Sequence, residues 1–361
     1  MSSVRDAFYM AQAISLAKRG RYTTDPNPRV GCVLVRDDVV IGQGWHVKAG
    51  QGHAEVEALK NVSDAKGATA YVTLEPCSHQ GRTPPCCDAL TKAGVSRVVA
   101  AMQDPNPQVS GSGLEKLKAA GIEVSCGVLQ EDALALNRGF IKRMTDNRPF
   151  VRSKLAMSLD GRTAMASGES KWITSNEARA DVHRLRAESS AILTGINTVL
   201  ADDPALNARI DEDVLQPVRV VLDTHLNMPI NAQIAKLPGR SLILTCAQHE
   251  QKQLALQQAG FEVYQLAGKN GRLDLHAVME FLSQQQINEL LVEAGSVLNG
   301  ALLAEGLVDE YVVYMAPCIL GDQGRGLFNL PGLQQMADKK QLKLRDVRQV
   351  GQDLKLTYIP L

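Results

Sequence analysis

Apolar residues recur at Val4, Ala7, Phe8, Ala11 and Ile14. That three-to-four spacing marks one face of a helix and predicts a helix over residues 4–19. The period then shortens to two. Val30–Val35 and Val39–Gly44 flank Arg36-Asp37-Asp38 and predict a hairpin. Further on, helices are predicted over His53–Leu59, Cys86–Ala93 and Leu114–Ala120, and strands over Ala70–Leu74, Val95–Ala101 and Ile122–Val128. Such alternation predicts a three-layer α/β/α sandwich.

Gly139–Pro149 is polar and closes on Asn147-Arg148-Pro149, which places a boundary between domains over 1–146 and 147–361. The pattern restarts at a strand over Phe150–Met157. Strands follow over Ala191–Leu193, Val218–Asp223, Ser241–Thr245, Phe261–Gln265, Glu289–Ala294 and Glu310–Ala316. Helices fit Asn176–Glu188, Gln251–Ala259, Leu273–Gln284 and Asn299–Glu305, and Leu342–Val347 with Asp353–Tyr358 predicts a terminal hairpin. The second domain is therefore also α/β.

The totals agree with two domains: 361 residues exceed one ordinary core, and 45% hydrophobic residues suffice for two. A net charge of zero argues against a general nucleic-acid binder. No apolar run reaches membrane-spanning length, and Met1-Ser-Ser-Val-Arg-Asp6 lacks the core of a signal peptide, so a cytoplasmic protein is expected. Seven irregularly spaced cysteines in a reducing compartment read as metal ligands or small hydrophobes rather than disulfides. Cys32, Cys126, Cys246 and Cys318 take the second reading.

The chemistry concentrates in His53-Ala54-Glu55, Pro76-Cys77 and Cys86 after Thr83-Pro84-Pro85. One imidazole and two thiolates are three ligands for one Zn²⁺, leaving a tetrahedral position open for water. Glu55, two residues from a ligand, is placed to carry protons between that water and a leaving amine, the layout of zinc deaminases. Those enzymes commonly carry Pro-Cys-x-x-Cys; here eight residues separate the two cysteines. Cys87 adjoins Cys86, so the second thiolate is ambiguous, and Cys86 is preferred because it follows the diproline directly. A structural zinc would need a fourth protein ligand, with His79 and Cys87 as candidates.

Long segments then carry a family resemblance. Thr24–Cys32, His53-Ala-Glu55, Tyr71–His79 and Gly81–Cys86 in the first half closely resemble the bifunctional deaminase/reductases of riboflavin biosynthesis. So do Lys154–Thr163, Ser170–Ser175, Asp202–Leu206 and Val292–Gly295 in the second. The resemblance implies a cytidine-deaminase-like domain followed by a dihydrofolate-reductase-like domain. It implies deamination of 2,5-diamino-6-ribosylamino-4(3H)-pyrimidinone 5′-phosphate and then NADPH-dependent reduction of the ribosyl group to ribityl. His53, Cys77 and Cys86 match the family's zinc ligands, one zinc per chain, and Glu55 matches its proton carrier. Asn27, His46 and Arg82 fall where the family lines its deaminase pocket.

Read on its residues alone, the second half offers only a glycine-bearing strand-to-helix turn over Glu293–Gly300, able to present N–H groups to phosphate. The resemblance adds cofactor contacts at Ala156, Trp172, Thr198, Asp202 and Thr224, and along Gly295, Ser296, Val297, Leu298, Asn299, Gly300 and Ala301. It adds substrate contacts at Ser170, Arg186, Leu206, Arg209 and Glu293, with Lys154 beside them; two arginines suit a dianionic phosphate. NADPH over NADH rests on the resemblance alone. The expected partners are small ribosylaminopyrimidine phosphates, with no nucleic acid and no membrane, in a homo-oligomer. The rival reading is a tRNA or nucleotide deaminase with an unrelated appended domain.

Overall fold

The computed structural model describes residues 4–78, 84–107 and 109–361. The chain divides into two compact units, Met1–Asn147 and Arg148–Leu361.

In the first unit, five strands run β1 (Gly31–Arg36), β2 (Val39–Trp45), β3 (Thr69–Val72), β4 (Arg97–Ala100) and β5 (Glu123–Cys126), side by side in the order β2-β1-β3-β4-β5. β1 is antiparallel to β2 and β3, whereas β3, β4 and β5 are parallel. The β1–β2 hairpin turns on Asp37 and Asp38, both with positive φ (52° and 62°), the backbone that matches strand twist in a two-residue turn. Alternation along β1 divides two cores. Val33 and Val35 join α1 (Val4–Ala17) through Tyr9, Met10 and Ile14 on one face. Cys32 and Leu34 join α2 (Ala54–Leu59), α3 (Cys86–Lys92) and α4 (Ser112–Ala119) through Ala58, Leu90 and Leu117 on the other. The result is the three-layer α/β/α sandwich.

Two helices lead to the boundary: α5 (Gln130–Leu136), in a stretch given no element by the sequence, and α6 (Arg138–Asp146), which overlaps the polar Gly139–Pro149 connection. α6 sets Phe140, Ile141 and Met144 on one face, yet of its residues only Gly139 is fully buried.

The second unit is built on nine strands. From one edge they run Glu262–Gln265, Ser241–Thr245, Val218–Leu222, Ala191–Gly195, Glu289–Val292, Phe150–Ser158, Glu310–Ala316, Asp353–Pro360 and Leu342–Val350. The first seven are parallel, and the terminal hairpin closes the edge antiparallel. Helices α7 (Asn176–Glu188), α8 (Ile196–Asp202) and α9 (Glu250–Gln258) cover one face. Helices α10 (Leu275–Gln284) and α11 (Ser296–Ala304) cover the other. α8 escaped the sequence reading because Val199 is its one buried residue. α11 begins three residues earlier than expected, so most of the Gly295–Ala301 segment is helix rather than open turn. Of the cysteines read as small hydrophobes, Cys32 is buried, Cys246 and Cys318 are half-buried, and Cys126 is exposed, because the edge strand β5 leaves it uncovered.

Candidate active sites

In the first unit, one end of the sheet gathers the start of β1, the end of β2 and the end of β3. His46 follows β2 directly. His53 is the N-cap of α2, and Glu55 is buried in that helix's first turn. The helix lies close on β2 because Gly44 has no side chain: a Cβ there would sit 2.3 Å from the Ala58 nitrogen and 2.5 Å from the Ala54 oxygen. Cys77 follows β3 through Glu75-Pro76. The buried Glu75 carboxylate accepts N–H groups from Asp104 (3.0 Å), Gly111 (2.9 Å) and Gly113 (2.7 Å). It therefore supplies the anion that the start of α4 favours, and ties that loop to the cysteine segment. Glu75 had no role in the sequence reading; its partners lie 29 to 38 residues away, and no local pattern signals them.

Cys86 opens α3, and its N–H donates to the Cys77 sulfur at 3.3 Å. His53 Nδ1 stands 3.2 Å from the Cys86 sulfur and 3.5 Å from the Cys77 sulfur. One donor atom from each of the three residues lies within 4.8 Å of the others, the one such group of three His, Cys, Asp or Glu side chains among the described residues. A nitrogen and a sulfur bound to one tetrahedral zinc, at bond lengths of about 2.0 and 2.3 Å, stand about 3.5 Å apart. Chemistry and spacing of the donor set thus fit zinc. Cys87 points elsewhere, donating to the Pro76 and Gly113 carbonyls at 3.3 and 3.4 Å. His79 and Arg82 lie outside the described residues.

The electrostatics follow from burial and close sulfurs. The hydrogen bond from Cys86 holds Cys77 down to about 4, against burial and with help from His53. The same bond, and burial, push the Cys86 thiol up. The bond to Cys77 raises His53, against burial. Burial pushes the Glu55 carboxyl up to about 7, with its backbone hydrogen bond opposing and the nearby Cys77 thiolate adding.

His46 and Asn27 come together beside this cluster. Burial lowers the His46 pKa, and its Nδ1 lies 3.1 Å from the Gly52 carbonyl. The neutral ring therefore carries its proton on Nδ1, and Nε2 accepts from the Asn27 amide at 3.1 Å. The His46 ring meets His53 edge-on, 5.5 Å between centroids.

In the second unit, the carboxyl ends of parallel strands deliver the expected residues, at the edge where open α/β sheets bind ligands. Lys154 and Ala156 lie on Phe150–Ser158, Glu293 follows Glu289–Val292, Thr198 and Asp202 lie on α8, and Thr224 follows Val218–Leu222. Arg186 forms a two-pronged pair with Glu293 (2.6 and 3.0 Å) and also donates to the Asn207 carbonyl. Lys154 Nζ stands 3.6 Å from the same carboxylate. Burial alone would raise Glu293; Arg186 and then Lys154 outweigh it and hold it down to about 2. Arg186 is thus bound to a carboxylate rather than open beside Arg209, which is exposed and lies 3.0 Å from His183 Nε2.

Trp172 is exposed under the Arg179 guanidinium, 4.6 Å from its centroid, and Asp202 pairs with Lys171 at 2.9 Å. Ser170 precedes that pair and is half-buried, while Leu206 is buried. At the start of α11, Gly295 caps without a side-chain hydrogen bond, leaving the N–H groups of Ser296, Val297 and Leu298 at the helix end. Asn299 and Gly300 face inward. Asn299 Nδ2 donates to the Ala294 and Gly295 carbonyls, its Oδ1 accepts from Ser153, and a Cβ on Gly300 would meet the Asn329 oxygen at 2.2 Å. These two build the turn; its mouth is formed by the residues before them.

Two family models match the chain. Residues 3–102 match the cytidine and deoxycytidylate deaminase zinc-binding region, and residues 149–356 match the RibD C-terminal domain. The riboflavin biosynthesis protein RibD of Escherichia coli K12 is 52% identical over 99% of this chain and 100% of its own length. A solved structure of Acinetobacter baumannii RibD is 48% identical and superposes with a TM-score of 0.93, covering 99% of both chains. A Thermotoga maritima diaminohydroxyphosphoribosylaminopyrimidine deaminase/5-amino-6-(5-phosphoribosylamino)uracil reductase is 34% identical, with a TM-score of 0.86 and 99% coverage of both.

Proposed function

Because this chain belongs to the RibD family of riboflavin-biosynthesis proteins, we propose a division of its two reactions between residues 1–146 and 147–361. The family is that of bifunctional enzymes, with a zinc-binding deaminase region and a reductase domain. The deaminase portion removes the 2-amino group of 2,5-diamino-6-ribosylamino-4(3H)-pyrimidinone 5′-phosphate as ammonia. The reductase portion then uses NADPH to convert the ribosyl group to ribityl. The rival reading, a tRNA or nucleotide deaminase with an unrelated second domain, is not favoured, because relatives match across both halves.

The observation that carries the deaminase reading is the convergence of His53, Cys77 and Cys86 beside a buried Glu55. His53, Cys77 and Cys86 hold the zinc. Zinc bound there supplies Lewis-acid activation of water at neutral pH. Glu55, held near pKa 7 by burial, takes a proton at its carboxylate and returns it to the departing amine, the poise a proton carrier needs. Asn27 and His46 line the pyrimidine side of this pocket; Arg82, outside the described residues, is assigned to it by the family resemblance alone.

In the reductase, the backbone N–H groups opening α11 receive a cofactor phosphate. Ala156, Trp172, Thr198, Asp202, Thr224 and Ala301 complete the cofactor contacts. Arg209 with Ser170 and Leu206 receives the sugar phosphate. Arg186 fixes Glu293, and Glu293 and Lys154 orient the sugar through hydrogen bonds. NADPH supplies the hydride, and alignment of cofactor and sugar carbon is the protein's main contribution.

Among the described residues no helix is long and apolar enough to cross a membrane. A cytoplasmic homo-oligomer acting on small molecules, without nucleic acid, completes the reading. Its test follows ammonia and NADPH absorbance separately on zinc-quantified protein. Ammonia release without NADPH, and NADPH oxidation only after deaminated product exists, is expected. NADPH oxidation that precedes ammonia release contradicts the order.

A further inference from the structure

The loop that carries Asn27 lies upstream of β1. β3 fixes the start of β1: the Gly31 N–H donates to Thr73 Oγ1 at 3.1 Å, and the Thr73 N–H donates to the Gly31 carbonyl at 3.1 Å. One side chain extends that order upstream. The Arg29 N–H donates to Asn137 Oδ1 at 2.8 Å, and the Arg29 carbonyl accepts from Asn137 Nδ2 at 2.9 Å. The Arg29 guanidinium then donates to the Leu136 carbonyl at 2.9 Å. A carboxamide that both donates to and accepts from one residue's backbone acts as a neighbouring strand would. Asn137 is buried at the junction of α5 and α6, 108 residues along the chain from Arg29. Two residues before Arg29, the Asn27 amide donates to His46, whose ring meets the His53 ring.

We propose that Asn137 is a positioning residue of the deaminase pocket: by gripping both backbone groups of Arg29 it sets the path of Asn27-Pro28-Arg29, and with it the Asn27 amide beside His46. Asn137 touches neither substrate nor zinc. The inference rests on the reading that Asn27 contacts the pyrimidine. The grip acts upstream of the Gly31–Thr73 pairing, on the loop side of β1.

The test is steady-state kinetics on the full-length, zinc-loaded protein with the diaminopyrimidinone ribosyl phosphate. Asn137→Ala is expected to raise the deaminase KM roughly tenfold with kcat within about twofold, since displaced positioning groups weaken the bound geometry. Zinc content and reductase kinetics should stay unchanged. The decisive arm is a double-mutant cycle: in an Asn27→Ala background, Asn137→Ala should add little further to KM. Leu117→Ala, a core truncation in the same unit, sets the effect of destabilisation alone, and Asn137→Ser replaces the alanine variant if that fails to fold. An Asn137 effect on KM no larger than that of Leu117→Ala, or one fully additive with Asn27→Ala, overturns the inference. If Asn27→Ala itself leaves KM unchanged, the substrate reading beneath it falls instead.

Discussion

The Cys86 sulfur lies 3.2 Å from His53 Nδ1, while the adjacent Cys87 thiol turns away to the Pro76 and Gly113 carbonyls. Successive helical residues differ by about 100° in direction, so neighbours at the start of α3 cannot share one ligand position. Cys86→Ser is expected to lose zinc and deaminase activity together. Cys87→Ser should keep about one zinc per chain and lose only a little stability. Metal emission on dialysed protein distinguishes the two, and equal zinc loss from both contradicts the assignment.

Gly44 sets how close α2 approaches the sheet, and α2 carries both His53 and Glu55. Gly44→Ala places a methyl group 2.3 Å from the Ala58 nitrogen, and overpacking of this kind costs about 1–3 kcal/mol or more. The expected outcome is a lowered melting temperature of the first unit and weakened zinc retention, with reductase kinetics preserved. Calorimetry with zinc analysis checks it; an unchanged melting temperature would mean the helix moves freely.

Glu293 links acid stability to the reductase site. Its folded pKa of about 2 lies below the ordinary 4.5, because Arg186 and Lys154 outweigh its burial. A depressed carboxylate contributes stability above its unfolded pKa and loses it as pH falls through the folded value. The second unit should therefore weaken between about pH 4.5 and pH 2. Glu293→Gln should remove that part of the acid limb. It should also cost about 3–5 kcal/mol at neutral pH, because Arg186 keeps its charge without its partner. Urea unfolding at pH 7 and pH 3 measures both, and an unaltered slope between them contradicts the assignment.

The parts legible in the sequence were those whose signal is local. His53 and Glu55 stand two apart at a helix start, and the Ser241 and Glu289 strands each carry three consecutive apolar residues. The α5 and α6 helices were not read: the apolar positions of α6, Phe140, Ile141 and Met144, are interleaved with Arg138, Lys142, Arg143 and Asp146 in one short helix. Nor were contacts between distant residues. Arg186 looked like an open phosphate ligand on a helix, yet Glu293 holds it, 107 residues away. Glu75 and Asn137 act through backbone groups, which leave no trace in side-chain pattern. The choice between Cys86 and Cys87 needed the direction of one helical residue, which spacing alone does not supply.

The most direct measurement is Glu55→Gln, with ammonia release, zinc content and NADPH oxidation recorded on one preparation. A glutamine keeps the size of the side chain but cannot carry the proton. The account predicts deamination slowed by about 10²–10⁴-fold, zinc still bound, and normal reduction of added deaminated intermediate. Deamination at the normal rate with zinc bound would contradict it.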